Sequence, residues 1–177
     1  MRVQILPIQL INQIAAGEVV ERPSSVVKEL VENCFDAGAT KINIDIEQGG
    51  AGRIRIRDNG CGIVKEDLPL ALSRHATSKI TAAADLVGVQ TFGFRGEALP
   101  AIASVSRFTL LTSDGSDATE ISVTGSRVDA VESSVRQRGT TVSVRGLFFN
   151  TPARRKFLRS VSSEARAAAE VVSTLAL

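Results

Sequence analysis

The chain has 177 residues, 44% of them apolar, which is enough for one domain with a buried core and argues against a disordered segment. Its 21 basic and 19 acidic side chains leave a formal charge of +2, too small to indicate a nucleic-acid partner by itself. No apolar run approaches the roughly 20 residues of a membrane span, so we expect no membrane association.

The residue types present exclude several classes of site. One histidine and two cysteines cannot complete a four-ligand zinc site, and the absence of Tyr excludes a tyrosine nucleophile. Neither GxxxxGK[ST] nor GxGxxG occurs, which excludes the Walker P-loop and the dinucleotide fingerprint. Cys34 and Cys61 form no CxxC pair, and no secretory pattern precedes them. We therefore expect free thiols in a reducing, intracellular setting.

The first third of the chain predicts two helices and a hairpin. Residues 10–16 predict a short helix that ends at Gly17. Pro23 with the two serines after it predicts the start of a second, amphipathic helix. Alternating apolar residues at 41–47 and 53–58 predict two strands joined by a glycine-rich turn.

The rest of the chain predicts a loop, a helix, a sheet and a last helix. Polar residues predict a long loop over 73–93, followed by a helix over 95–104. The predicted strands, read as one antiparallel meander, lie at 105–111, 119–124, 127–135 and 140–145. An alanine-rich helix over 163–177 has no glycine or proline stop, so we expect more protein to follow. This order of elements favours an α+β fold with a mostly antiparallel, mixed sheet covered by helices on one face.

The second helix carries a carboxylate and an amide four residues apart, at Glu29 and Asn33. On a helix these two side chains share one face. A glutamate can orient or deprotonate the water that attacks a nucleoside triphosphate, and an amide oxygen suits Mg²⁺. The alternative is an ordinary exposed acidic helix, because Glu32 and Asp36 lie nearby.

The end of the second strand predicts a site for a purine base. Asp58 follows an apolar strand, and a buried carboxylate there needs a donor such as the exocyclic amine of adenine. Gly60 and Gly62 would let the base lie against the backbone. Thr141 could hydrogen-bond the base or a water. The alternatives are an ordinary turn after a strand and an ordinary strand threonine.

A third group of residues predicts the phosphate end of the site. Residues 93–99 frame a helix start with glycines, where unpaired N–H groups bind anions. Residues 75–79 offer hydroxyls and an ammonium group that could close over phosphates, although His75 is more typical of a structural histidine. The candidate phosphate-binding residues are Thr77, Ser78, Lys79, Gly93, Phe94, Arg95, Gly96, Glu97, Ala98 and Leu99.

Seven stretches carry a family resemblance. They are NQIAAGEVVERP at 12–23, KELVEN at 28–33, DAGAT at 36–40, DNGCGI at 58–63, RHATSKI at 74–80, GFRGEAL at 93–99 and NTPARRKFL at 150–158. Together they resemble the N-terminal ATPase domain of the MutL family of DNA mismatch-repair proteins, within the GHKL superfamily. The second and fourth stretches indicate the superfamily only, whereas the first, fifth and last are specific to the MutL family.

The resemblance implies a GHKL (Bergerat-type) α/β sandwich that binds ATP and Mg²⁺. It implies that Glu29 is the general base, that Asn33 is the Mg²⁺ ligand and that Asp58 reads adenine. The residues implied around the base are Ala37, Gly62, Ile63 and Thr141. Residues 77–79 and 93–99 are implied as the ATP lid and phosphate grip.

The resemblance also implies partners and further domains. Nucleotide binding is expected to drive dimerisation through the N-terminal residues, and a MutS-type mismatch-recognition protein is the expected partner. Family members continue into a second domain, which supplies a lysine to the γ-phosphate and much of the DNA-binding surface, and into a C-terminal dimerisation domain. We therefore expect residues 1–177 to form the ATPase domain alone and to hydrolyse ATP weakly or not at all.

Three expectations accompany this interpretation. Cys34 stands where serine is more usual in the family and is expected to alter packing only. The basic residues at 154–156 and 159 could contact DNA phosphates, or form a solvated face or a brace to another domain. The alternative function is a nucleotide-binding module that does not hydrolyse ATP. A histidine kinase and a topoisomerase fit less well, because the chain lacks a suitable phosphoacceptor histidine and any tyrosine.

Overall fold

A computed structural model describes residues 4–73 and 96–176, which form six α-helices and six strands. The helices are α1 (Ile8–Val19), α2 (Pro23–Asp36), α3 (Leu68–Ala71), α4 (Ala98–Ser104), α5 (Pro152–Lys156) and α6 (Val161–Leu175). The strands are β1 (Ile42–Glu47), β2 (Arg53–Asp58), β3 (Arg107–Ser113), β4 (Ala118–Thr124), β5 (Arg127–Ser134) and β6 (Gly139–Arg145). Short 3₁₀ turns follow β1 and precede α3.

The strands form one sheet in the order β1-β2-β6-β3-β4-β5, with every neighbouring pair antiparallel. The predicted four-strand meander is wrong in one respect, because β6 lies between β2 and β3 instead of beside β5. This position places Val142 opposite both Ile56 and Leu110, and all three are buried. The last strand thus completes the centre of the core, whereas the largely exposed β5 is left at the edge.

One face of the sheet is apolar and covered by helices, as the sequence predicted. Alternate residues of the strands, among them Ile54, Phe108 and Val144, are buried beneath α2 and its neighbours. The helix α2 contributes Val27 and Leu30 to the same core. The residues between them point to the opposite face, here called the open face, which is polar and rich in arginine.

The first helix differs from its prediction. It continues through Gly17 to Val19, because Ala16 and Val20 are buried and the Val20 N–H donates to the Ala16 carbonyl at 2.7 Å. The second helix begins at Pro23 as predicted, with the proline in the first turn, where no N–H is needed.

The predicted third strand also shifts, from 105–111 to 107–113. Val105 ends α4, and the Ser106 hydroxyl donates to the Ile102 carbonyl at 2.7 Å, so both residues belong to the helix end. No helix within 4–73 or 96–176 has the length and apolar character needed to cross a membrane.

Candidate functional site

The helix α2 presents Glu29, Asn33 and Ala37 along one flank. Buried residues on its other side hold the helix against the sheet, so this flank is partly open. Glu32, one of the two nearby acids, is buried and forms an ion pair with Lys28 at 2.9 Å. The acidic residues of α2 therefore differ in environment, and this argues against a uniformly solvated acidic face.

Asp58 ends β2 with only 7% of its surface exposed. Its Oδ1 accepts hydrogen bonds from the backbone N–H of Gly60 at 2.7 Å and of Thr140 at 3.2 Å. Its Oδ2 accepts a weak hydrogen bond from the Cys34 thiol at 3.6 Å. A carboxylate has about four acceptor positions, so Oδ2 keeps capacity for a donor such as an exocyclic amine.

The Cys34 contact links α2 directly to Asp58. Burial, followed by the charge of Asp58, raises the pKa of the thiol to about 12, so the thiol is protonated at neutral pH and can donate. The expectation that Cys34 alters packing only is therefore wrong. Because Asn33 is the preceding residue, the same contact brings the amide-bearing helix to the aspartate.

Arg136 is a further residue at this site that sequence reasoning missed. Its guanidinium donates to the backbone carbonyls of Asp58 at 3.0 Å and Leu111 at 3.1 Å. Burial lowers the pKa of Arg136, and the nearby Asp58 carboxylate opposes that shift. Arg136 lies in the connection between β5 and β6, 78 residues from Asp58, and no motif marks it.

The turn after Asp58 packs closely on the rest of the protein. A Cβ at Gly60 would lie 2.7 Å from the Ala37 Cβ, and one at Gly62, where φ is +74°, would overlap the Ser113 carbonyl. The sequence interpretation, that these glycines let the base lie against the backbone, stays a prediction; the structure adds that each glycine packs on another part of the protein. Glycine is required at both positions because the turn packs against α2 and β3.

The threonine assignment at the start of β6 needs correction. Thr141 points to the open face, opposite Arg57 and Leu111, and so lies on the other side of the sheet from Asp58. Thr140 is the residue on the Asp58 side. Thr140 is two residues before the buried Val142, and residues two apart in a strand lie on the same side, so the sequence pattern already identifies it.

Thr140 belongs to a short hydrogen-bonded chain that reaches the turn. Its hydroxyl lies 3.0 Å from the Thr112 hydroxyl oxygen, which in turn accepts from the Ile63 N–H at 2.9 Å. This chain fixes Ile63, a predicted neighbour of the base, next to the end of β2. The structure thus brings together Asn33, Ala37, Asp58, Gly62 and Ile63, while Glu29 lies one helical turn before Asn33.

The predicted phosphate residues divide into two groups. Gly96 has φ of +62°, and Glu97 stands at the N-cap position of α4 without a side-chain capping hydrogen bond. Ala98 and Leu99 begin that seven-residue helix, which lies beside α1. His75 and the remaining candidates lie outside the described residues and stay predictions. These are Thr77, Ser78, Lys79, Gly93, Phe94 and Arg95.

The NTPARRKFL stretch has a structural role at its start. The Asn150 amide donates to the Ser104 carbonyl at the end of α4, at 2.9 Å. The Arg154 guanidinium lies against Gly17 in α1, with its Nη1 buried. Arg155, Lys156 and Arg159 are exposed, so Arg154 alone of this basic group braces α1 within the domain.

The oxygen donors on α2 suit Mg²⁺ only when phosphate oxygens and waters supply the other ligands. In the two ranges that the structure describes, no group of three or more His, Cys, Asp or Glu side chains could hold a metal ion. Mg²⁺ usually binds through one or two protein oxygens together with phosphate oxygens and waters, so the Asn33 amide suits it as a partial ligand.

Comparison with known proteins places these features in a family. A family model described as histidine kinase-, DNA gyrase B-, and HSP90-like ATPase matches residues 21–146. The chain is 57% identical over 178 residues to the DNA mismatch repair protein MutL of Anaeromyxobacter dehalogenans, and 59% identical over 179 residues to that of Xanthomonas campestris pv. campestris. The two matches cover 99% and 100% of this chain but only 29% of the length of each relative.

Two solved structures share the fold. The Aquifex aeolicus MutL ATPase domain complexed with ADP has a TM-score of 0.71 and 36% identity, covering 87% of this chain and 54% of that one. The N-terminal domain of a DNA repair protein has a TM-score of 0.77 and 28% identity, covering 92% of this chain and 47% of that one.

Proposed function

The chain belongs to the histidine kinase-, DNA gyrase B- and HSP90-like ATPase family and, within it, to the MutL ATPase domains, and from this premise we propose that it uses ATP with Mg²⁺ as a conformational switch in DNA mismatch repair. The observation that carries the proposal is the contact between Cys34 and Asp58. It joins the helix bearing Glu29 and Asn33 to the buried aspartate, so one ligand can reach both.

At the purine end, Asp58 accepts the exocyclic amine of adenine. Two backbone N–H groups hold its Oδ1 and leave Oδ2 with only the weak thiol donor. The carboxylate is thus oriented before the ligand arrives, which reduces the entropy lost on binding. Ile63 and Ala37 border this position.

At the phosphate end, Glu29 orients or deprotonates the attacking water, and Asn33 holds Mg²⁺ through its amide oxygen. The metal, when bound, supplies positive charge to the phosphate oxygens. The proposed phosphate-binding residues are those at 77–79 and 93–99. Hydrolysis is slow, as expected for a switch and not for a metabolic ATPase.

The proposed partners follow from the family and from one exposed surface. Ile5, Ile8 and Ile14 are 98%, 77% and 56% exposed at and near α1, and together they form an apolar N-terminal surface. A second copy of the chain covers this surface when nucleotide is bound. A MutS-type mismatch-recognition protein and DNA, the latter mainly through other domains, complete the set of partners.

The role of Glu29 is tested by Glu29→Ala in the full-length protein, under single-turnover conditions with Mg²⁺ and excess protein. We expect ATP binding to persist and the cleavage rate to fall by about 10²- to 10⁴-fold. Glu170→Ala, which changes an exposed acid on α6, is the matched control and is expected to keep the wild-type rate. Near-normal cleavage by Glu29→Ala contradicts the assignment. No cleavage by the wild type, with ATP bound, favours the non-hydrolysing module instead.

A further inference from the structure

The open face of the sheet carries a concentration of arginines. Arg53 and Arg55 come from β2, Arg107 from β3 and Arg145 from β6. Three of them stand in one row, because Arg145 is the register partner of both Arg53 and Arg107. Neighbouring strands lie about 4.8 Å apart, so the three arginine side chains extend from adjacent strands along one line.

Like charges directly opposite each other destabilise a sheet, so this row needs compensation. At its outer end Arg53 forms an ion pair with Glu47. The Arg107 guanidinium lies 4.8 Å from the centroid of the Phe149 ring, a cation–π contact. Arg145 is exposed and makes no ion pair with any residue in 4–73 or 96–176. Among residues 4–73 and 96–176, the positive charge in the middle of this row is therefore left without an ion-pair partner.

Around the row lies a shallow cavity of about 440 Å³, lined by these four arginines and by hydroxyl side chains that include Thr109 and Ser143. The acid at its outer rim, Asp129, is engaged by Arg127 at 3.0 Å and by the Thr124 hydroxyl. Glu120 is the other acid on the rim, and Asp45 of β1 is the register partner of Arg55. Guanidinium and hydroxyl groups together are the usual donors to phosphate oxygens at nucleic-acid interfaces.

The composition of the face decides among possible partners. A protein interface needs aromatic or aliphatic anchors. Phe108 and Val123 border the cavity but are buried in the core, so among the described residues Leu111 is the large apolar side chain partly exposed in it. Single-stranded nucleic acid needs aromatic stacking platforms, but the chain has no Trp or Tyr, and Arg107 covers the ring of Phe149. A duplex contacted only through its backbone needs neither feature.

We propose that the open face of β2, β6 and β3 binds the phosphate backbone of duplex DNA without reading its bases. The inference rests on the proposed function, since mismatch repair supplies duplex DNA as the partner. It adds a contact surface within the ATPase domain, on the opposite side of the sheet from Asp58.

The test is binding of the chain to a fluorescein-labelled duplex, followed by anisotropy over a series of salt concentrations. The triple variant Arg55→Gln, Arg107→Gln and Arg145→Gln is expected to bind more weakly. If each arginine neutralises one phosphate, the slope of log K against log salt becomes shallower by about 2.7. The single variant Arg145→Gln, an exposed change that leaves the core intact, is expected to reduce the slope by about 0.9.

The control is Lys65→Gln with Arg166→Gln, which removes positive charge from exposed positions just before α3 and on α6, away from the open face. This control is expected to keep the wild-type slope. The proposal is overturned if the sheet variants keep the wild-type slope, or if the control loses slope instead. It is also overturned if the wild type binds polyglutamate, which stands for an acidic polypeptide partner, but does not bind the duplex. ADP binding is measured on the same samples, so failure of the nucleotide site is seen separately from failure of the DNA surface.

Discussion

Asp58 receives hydrogen bonds from groups that lie far apart in the chain. Gly60 is two residues away, Cys34 is 24 residues before it, and Thr140 is 82 residues after it. A carboxylate that is 7% exposed would be costly without such donors. The donors therefore make it possible to bury a carboxylate at the end of β2, and they also fix its orientation.

The pair Thr140 and Thr141 offers a matched test of which face of β6 belongs to the nucleotide site. Thr140→Val removes the hydroxyl that lies 3.0 Å from the Thr112 oxygen, and we expect ADP affinity to fall by roughly tenfold, since one lost buried hydrogen bond costs about 1–3 kcal/mol. Thr141→Val, on the open face, is expected to leave affinity unchanged. Calorimetric titration with ADP measures both. The reverse pattern would restore the original assignment of Thr141.

Local patterns identified Asp58 and its glycines but not all of their surroundings. The acid and the turn are adjacent in the sequence, so a short motif carries them. The contacts of Cys34 and Arg136 depend on which distant elements meet, and no local spacing encodes that. The assignment of Thr141 was a different kind of error. Thr141 is adjacent to the buried Val142, and adjacent strand residues point to opposite faces, so the sequence already places Thr141 on the face away from Asp58.

At the scale of elements, periodicity predicted the strands well and their order less well. The β2 strand was predicted with its observed bounds, since its apolar residues alternate without interruption. The place of β6 between β2 and β3 could not be predicted in the same way. Strand order depends on which apolar faces are buried together, and the local sequences of β5 and β6 do not encode that.

The contact between α1 and α5 predicts non-additive effects of two substitutions. Gly17→Ala would place a Cβ where the Arg154 guanidinium now lies. Alanine is favoured over glycine inside a helix by about 0.5–1 kcal/mol, but here that gain is opposed by loss of the arginine contact. We expect Gly17→Ala to be more favourable by about 1 kcal/mol in an Arg154→Ala background than in the wild type.

Urea unfolding of the wild type, both single variants and the double variant measures this coupling. Ala169→Gly at an exposed position of α6, combined with Arg154→Ala, provides a control pair that does not share the contact. Equal effects of Gly17→Ala in both backgrounds would show that Arg154 does not brace α1.

At the scale of the whole molecule, one sheet separates two chemically different surfaces. The strand β2 carries Asp58 on the helix side and Arg55 on the open side, three residues apart. The helix side has the polar groups of a nucleotide site, whereas the open side carries the row formed by Arg53, Arg145 and Arg107. The N-terminal helix lies beside α4 and presents a third surface, which is apolar.

This apolar surface predicts how nucleotide controls assembly. Ile8→Gln with Ile14→Gln removes two exposed isoleucines from α1 without touching the core. Burying one isoleucine contributes about 1.5–3 kcal/mol, so we expect the dimer formed with a non-hydrolysable ATP analogue and Mg²⁺ to weaken by at least about tenfold. Val128→Gln with Val131→Gln, which changes two half-exposed apolar residues on the edge strand β5, is the control. Mass measured by light scattering during the titration reports dimerisation, and calorimetry reports nucleotide binding to the monomer. A dimer that survives the α1 changes, or that is lost equally in the β5 control, would mean that α1 is not the surface through which two copies meet.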